Sequence, residues 1–226
     1  PSVIAAHAAL LAHKSGKTVK VIFDRAEDMQ ATTKRHPSRT LHRTAVTKDG
    51  TIVAMDVDFV IDGGAYATLS AVVLSRGTIH AAGPYAVENV RIRARSVATN
   101  LPPHGAFRGF GAPQSCFALE RHLDKVAAAI GISPEELRRK NILKEGDTTA
   151  TGQLVSERVD MPGLMDKAFE MSAYHEKRAR FAKENAAGGR FRRGIGFATF
   201  YHGAGFTGSG ETYLKSRVGI EATPEG

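Results

Sequence analysis

The sequence predicts an α+β protein, with mixed sheets and hairpins and with helices segregated from the strands. Three observations carry that class. An Asp49-Gly50 turn separates two alternating, β-branched runs, the pattern of a hairpin. Helical spacing of apolar residues is concentrated elsewhere, above all in residues 113–130. Helical and strand patterns also do not alternate along the chain, as repeated strand–helix–strand units would require.

Taken in order, residues 3–13 are rich in Ala and Leu and stop at Gly16, which predicts a buried helix closed by a left-handed residue. With Pro1 in first place and no polar leader before that helix, the chain reads as the middle of a longer one. Residues 18–23 are β-branched and predict a strand. Residues 39–46 and 51–61 form the arms around Lys48-Asp49-Gly50, with Val53, Met55, Val57, Phe59 and Ile61 directed to the core. Residues 90–99 predict another strand, alternating Val90, Ile92 and Ala94 with Arg91, Arg93 and Arg95. Residues 100–113 are too rich in Gly and Pro for regular structure.

Pro113 suits the first turn of the next helix, whose apolar stripe is Phe117, Leu119, Leu123, Val126 and Ile130 and whose stop is Gly131. Ser133-Pro-Glu-Glu136 is a capping box that starts a further helix. Residues 148–155 predict a loop, 161–172 a helix, and 177–193 an exposed charged helix and linker broken at 186–189. Residues 194–201, 203–210 and 211–220 predict strand, glycine loop and strand, with a turn at 221–226. No internal repeat is present.

The chain has 226 residues and a formal charge of +8, with 42% hydrophobic and 24% charged residues. That balance excludes a disordered polymer. No apolar run reaches the roughly 18 to 20 residues of a membrane span. The single cysteine, Cys116, cannot form an internal disulfide and lies on the apolar side of its helix, which predicts a structural role and a reducing cytoplasm. The nine histidines include no His-x-x-x-His pair flanking a Glu, so no protein-ligated zinc is expected. Lys34-Arg35-His36-Pro37-Ser38-Arg39 and the Arg91, Arg93, Arg95 face could meet phosphates. Without interleaved aromatics they predict a solvated face and no nucleic acid, although a basic nucleic-acid-binding or assembly module stays as the alternative of a different class.

Gly105-Ala-Phe-Arg-Gly-Phe-Gly-Ala-Pro113 stands apart, because it places three glycines, two phenylalanines and an arginine just before a helix. Glycines allow close backbone approach, and N–H groups with the helix dipole suit an anion. A tight connection with Phe107 and Phe110 in the core explains the same composition. No Gly-Lys-Ser/Thr follows, so the loop is not a P-loop.

With Gln114, this loop resembles the signature of the large, molybdenum-cofactor-carrying subunit of the xanthine dehydrogenase and aldehyde oxidase family. Asp24-Arg-Ala-Glu-Asp-Met29, Thr33-Lys-Arg-His-Pro37, Asp49-Gly-Thr-Ile-Val-Ala54, Ser75-Arg76, Ala98-Thr-Asn100 and Glu135-Glu-Leu-Arg-Arg-Lys-Asn141 resemble family segments in the same order. The resemblance implies a two-lobed molybdopterin-binding region, with residues 1–155 in the first lobe and 156–226 opening the second. It implies a molybdenum–pterin cofactor held by Phe107, Arg108, Gly109 and Gly111, the Arg108 backbone meeting an oxygen ligand of the molybdenum. Arg76, Phe110, Phe206 and Thr207 would bind substrate, with Phe197 competing for the place of Phe206 and a structural ion pair as the other reading of Arg76.

The family reaction is hydroxylation with water as oxygen source. Electrons leave through iron–sulfur clusters to FAD, and these groups are expected on other domains or subunits of an oligomeric assembly. Phenylalanines with an arginine imply a flat N-heteroaromatic substrate such as a purine, with an aldehyde or nicotinate-type hydroxylase as runner-up. Carbon monoxide dehydrogenases carry a copper-binding cysteine in the loop, where Gly109 stands here. The family's catalytic glutamate falls beyond these residues, so no catalytic residue is assigned and the isolated chain is expected to be inactive.

Overall fold

The computed structural model describes residues 2–203, 219–221 and 223. The elements run α1 (Ser2–Ser15), α2 (Arg25–Ala31), β1 (Ser38–Val46), β2 (Ile52–Gly64), α3 (Ser70–Ile79), β3 (Asn89–Ala98), α4 (Ala112–Ile130), α5 (Pro134–Asn141), α6 (Met161–Ser172) and α7 (Tyr174–Ala186). The class is α+β around a mixed sheet in the order β1-β2-β3.

β1 and β2 form the hairpin, with Ser38 opposite Ile61 and Val46 opposite Ile52. Gly50 takes φ +89° in its turn, where a side chain would be strained. A register shift at Ala45/Val46 leaves Val53 unpaired, and this bulge corrects the predicted alternation: Ile52 is buried in its stead and Val53 is exposed. β3 lies parallel to β2, with Val57 opposite Ile92. Its Arg91 and Arg95 donate to Asp56 and Asp58 of β2 at 2.7 and 2.8 Å, so the basic face is matched by an acidic row on the neighbouring strand.

Parallel strands need a crossover, and α3 supplies it. One strand–helix–strand unit therefore interrupts the predicted segregation. The sequence signals α3 poorly because its N-cap, Leu69, makes no side-chain cap bond and Gly77 falls inside it. α2 is likewise unannounced by apolar spacing, although Asp24 and Glu27 close a reciprocal capping box at 2.8 and 3.0 Å. At α5 only the Ser133 half of the box forms, Ser133 Oγ accepting from Glu136 N at 3.0 Å.

The main core lies between β2 and α4: Met55 and Val57 pack with Leu119, Leu123 and Ala127, closed by Tyr85 and Leu137. Phe117 is exposed, because two residues before Leu119 is about 200° around a helix. Phe59, Ile61 and Val73 form a second cluster under Phe110. A third joins Ile142, Met165, Phe169 and Tyr174, with Ile195 and Phe197 against it.

Three expectations change. α1 is helical but exposed, with Leu10 and Leu11 in solvent: Ala and Leu favour the helix by themselves, whereas burial needs a covering surface that the described residues do not provide. Residues 18–23 and 194–201 join no sheet among the described residues, because β-branched residues favour extended backbone but a strand exists only with a partner. The strand predicted at 211–220 and the glycine loop at 203–210 fall almost wholly outside the described residues. Among those described, no helix is long and apolar enough to cross a membrane.

Candidate functional site

The glycine loop rises from a base built with the segment before β1. Lys34 and His104 form a parallel bridge, with Gly105 N donating to Lys34 O at 2.9 Å and His104 N to Gly63 O at 3.2 Å. A Cβ on Gly105 would stand 2.7 Å from Thr33 Cβ. Beneath, His36 is buried, its Nε2 2.8 Å from Ser70 Oγ. Burial first, then the neighbouring His104, lowers its pKa, so it stays neutral as a structural ring.

At the tip, Gly109, Phe110 and Gly111 are successively left-handed, with φ of +94°, +48° and +97°. Phe110 is the costly member, since a side chain there strains the backbone, and its packing over Phe59, Ile61 and Val73 offsets that strain. A Cβ on Gly111 would stand 2.1 Å from Val73 O, and one on Gly77 would meet Phe59 at 2.5 Å and Gly111 O at 3.3 Å. Loop and α3 thus meet backbone to backbone beside Arg76.

Hydrogen bonds show what the tip offers. Phe110 N donates to Phe107 O and Ala112 N to Gly109 O, while Gln114 N and Ser115 N donate to Gly111 O. The first turn of α4 is therefore spent internally, and the helix terminus is not the open donor set expected from sequence. The N–H groups of Arg108, Gly109 and Gly111 take no acceptor among the described residues. Gly109 and Gly111 are the left-handed members of that set, and unspent N–H groups in such a turn suit an anion.

Arg35 clamps the tip from outside. Its Nη2 donates to Arg108 O at 2.7 Å and its Nη1 to Gln114 Oε1 at 3.3 Å, while its guanidinium lies 4.6 Å from the centre of the Phe107 ring. Gln114 Nε2 in turn donates to His36 O. The two readings of the loop are thereby divided between its rings: Phe110 packs on the core, and Phe107 is half exposed under Arg35. Arg35 and Gln114 escaped assignment from sequence, although both stand in segments that carry the family resemblance.

Arg76 lies in the last turn of α3, and its Nη1 donates to Gly203 O at 3.4 Å. His80, one turn on, bonds Arg76 O through Nδ1 at 2.7 Å, stacks with His202 and meets Tyr201 at a tilt, each ring 5.2 Å away. Residues 201–203 therefore lie across the end of α3. Phe206 and Thr207 lie outside the described residues. Phe197 is placed against Phe169 and Tyr174, 4.8 and 5.5 Å between centroids, with Arg138 over its face, which removes it as a stacking partner for Phe110. Burial pushes the Cys116 thiol up to about 11, so it is protonated at neutral pH and unreactive, as a structural cysteine should be.

The structure thus brings together Arg108, Gly109, Phe110, Gly111 and Arg76. Among the described residues no three His, Cys, Asp or Glu side chains converge as metal ligands. The donor set fits an anionic group held by backbone N–H groups.

Comparison with known proteins gives the same direction. A family model described as molybdopterin cofactor-binding domain matches residues 1–142. A Bacillus subtilis protein named as a probable xanthine dehydrogenase subunit is 41% identical over 199 residues, which is 88% of this chain and 26% of that protein. The nicotinate dehydrogenase large molybdopterin subunit of Eubacterium barkeri is 40% identical over 164 residues, 73% of this chain and 39% of that protein. The crystal structure of an aldehyde oxidoreductase from Desulfovibrio desulfuricans superposes with a TM-score of 0.69 at 34% identity, covering 77% of this chain and 19% of that one. The chain spans between about a quarter and two fifths of the two relatives' lengths.

Proposed function

The chain belongs to the molybdopterin cofactor-binding family of xanthine dehydrogenases and aldehyde oxidases, and we propose that it forms one wall of a molybdenum hydroxylase site for an N-heteroaromatic substrate such as a purine. The observation that carries this reading is the set of N–H groups on Arg108, Gly109 and Gly111 left unspent among the described residues, on a loop packed through Gly111 and Gly77 beside Arg76. When bound, the molybdenum–pterin group supplies a two-electron oxidation with water as oxygen source.

The chain's own residues bind and orient. Phe107, Arg108, Gly109 and Gly111 would hold the cofactor's anionic centre, with Arg35 keeping the loop in place. Phe110 would offer a ring face to a planar substrate, and Arg76 would steady negative charge developing on the heterocycle, a task suited to a planar fork of donors. Phe206 and Thr207 would complete the substrate contacts. The first lobe would span residues 1–155 and the second begin at 156. Partners would be the remainder of a large subunit, with iron–sulfur and FAD domains or subunits, in an oligomeric cytoplasmic enzyme.

The test is the molybdenum and pterin content of the complete gene product purified with its accompanying subunits. Stoichiometric molybdenum supports the reading, and none, in a host that makes the cofactor, ends it. Arg76→Met then separates substrates. Losing a donor aimed at developing charge costs about 10²- to 10³-fold in kcat, so purine turnover should fall by that order with aldehyde turnover much less affected. Equal losses would favour the aldehyde hydroxylase reading, to which the similarity with an aldehyde oxidoreductase also speaks.

A further inference from the structure

Among the described residues the segment leading to Gly203 has no ladder and no helix to hold it, yet Thr199 within it is buried. Its anchor is a polar cluster in the core. Arg138, fully buried, donates through Nε to Glu120 Oε2 at 2.8 Å and through Nη2 to Glu120 O and Asp124 Oδ1, each at 3.0 Å. Tyr85 OH donates to Glu120 Oε1 at 2.6 Å and also bonds Thr199 Oγ1. Thr199 N donates to Glu120 Oε2 at 2.9 Å. Burial, then the Glu120 charge, pushes the Tyr85 hydroxyl well above its usual range, so it remains a donor.

A purely structural ion pair would be complete with Arg138, Glu120 and Asp124. Here the carboxylate spends one bond on a backbone N–H 79 residues away and another on a tyrosine that itself grips the same threonine. Four residues beyond, Gly203 O meets Arg76 Nη1, with Tyr201 OH bonded to Ile79 O at 3.2 Å on the way. Glu120 sits two turns along the helix that starts at the glycine loop, and Gly111 of that loop touches Gly77 beside Arg76. Loop, α4, extended segment and α3 therefore close a ring of contacts.

We propose that Glu120 and Tyr85 are positioning residues, which tether residues 197–203 through Thr199 so that Gly203 O sets the direction of the Arg76 guanidinium. The tether itself is independent of what the site binds, whereas its effect on substrate rests on the hydroxylase reading above.

The experiment uses the complete cofactor-loaded enzyme with Tyr85→Phe, Thr199→Val and Thr199→Ser. Each variant preserves shape and leaves the Arg138–Glu120 pair intact. Amide hydrogen exchange should quicken in residues 197–203 of Tyr85→Phe and Thr199→Val, while α4 and α5 keep their protection. kcat for the purine should fall several-fold with molybdenum content unchanged, and Thr199→Ser should restore both readouts. Unchanged exchange overturns the tether. Exchange that quickens across α4 and α5 as well overturns it too, by showing general loosening. Quickened exchange with unchanged kcat, or no rescue by serine, overturns the positioning role. If the wild-type enzyme holds no molybdenum, the hydroxylase reading falls and the exchange pattern alone decides the tether.

Discussion

His42 and His122 stack between β1 and α4, ring centroids 5.0 Å apart and 20° from parallel. Both nitrogens of His42 are buried without a hydrogen-bond partner among the described residues, while His122 Nε2 bonds Thr44 Oγ1. Burial first, and the second ring next, hold His42 down at about 4, against an ordinary 6.5. The folded protein therefore keeps His42 neutral where the unfolded chain takes up a proton. Stability is full above about pH 6.5 and is lost as pH falls toward 4, since the unfolded state binds more protons in that window. The urea midpoint should fall across this range, and His42→Phe should flatten part of the slope. A wild-type midpoint that does not move would refute the assignment. His36 and His80, also depressed by burial, act in the same direction. None of this was legible from residue type, because a histidine's pKa depends on what surrounds it.

Among the elements, α4 shows how far a periodic pattern reaches. Leu119, Leu123 and Val126 are buried as their spacing predicts. The same stripe also contains Glu120, which apolar periodicity passes over although its position among those residues places it on the buried face. A carboxylate on an apolar stripe is a signal for a buried cationic partner, and Arg138, in the family-like segment 135–141, is that partner. Glu120→Ala should cost about 3 to 5 kcal/mol, because it leaves a buried guanidinium short of its counter-charge. Asp124, still 3.0 Å from Arg138, should bring the loss toward the lower end. A chemical denaturation midpoint near wild type would contradict this account of the core. Surface pairs such as Lys167–Glu170 should matter far less.

At the scale of the molecule, the candidate wall is assembled from distant stretches, and the chain by itself is expected to give no molybdenum-dependent turnover. The residues proposed here bind and orient, and none of them is proposed as catalytic. Turnover by the purified 226-residue chain supplied with cofactor would reverse that assignment. What the sequence determined alone were features whose cause is local: the Asp-Gly hairpin, the Ser133 cap, the α4 stripe, helix α6 at the predicted 161–172, and the glycines that permit the left-handed turn at 109–111. It also carried the family resemblance, because a short loop keeps its residue order wherever it sits. Only the tertiary structure decided that α3 joins the two parallel strands, that residues 194–201 lie extended without a sheet, and that Arg35 grips Arg108 across 73 positions. Those features depend on pairs of side chains far apart in sequence, and their hydrogen bonds exist only once the core between β2 and α4 has closed and brought the partners within reach.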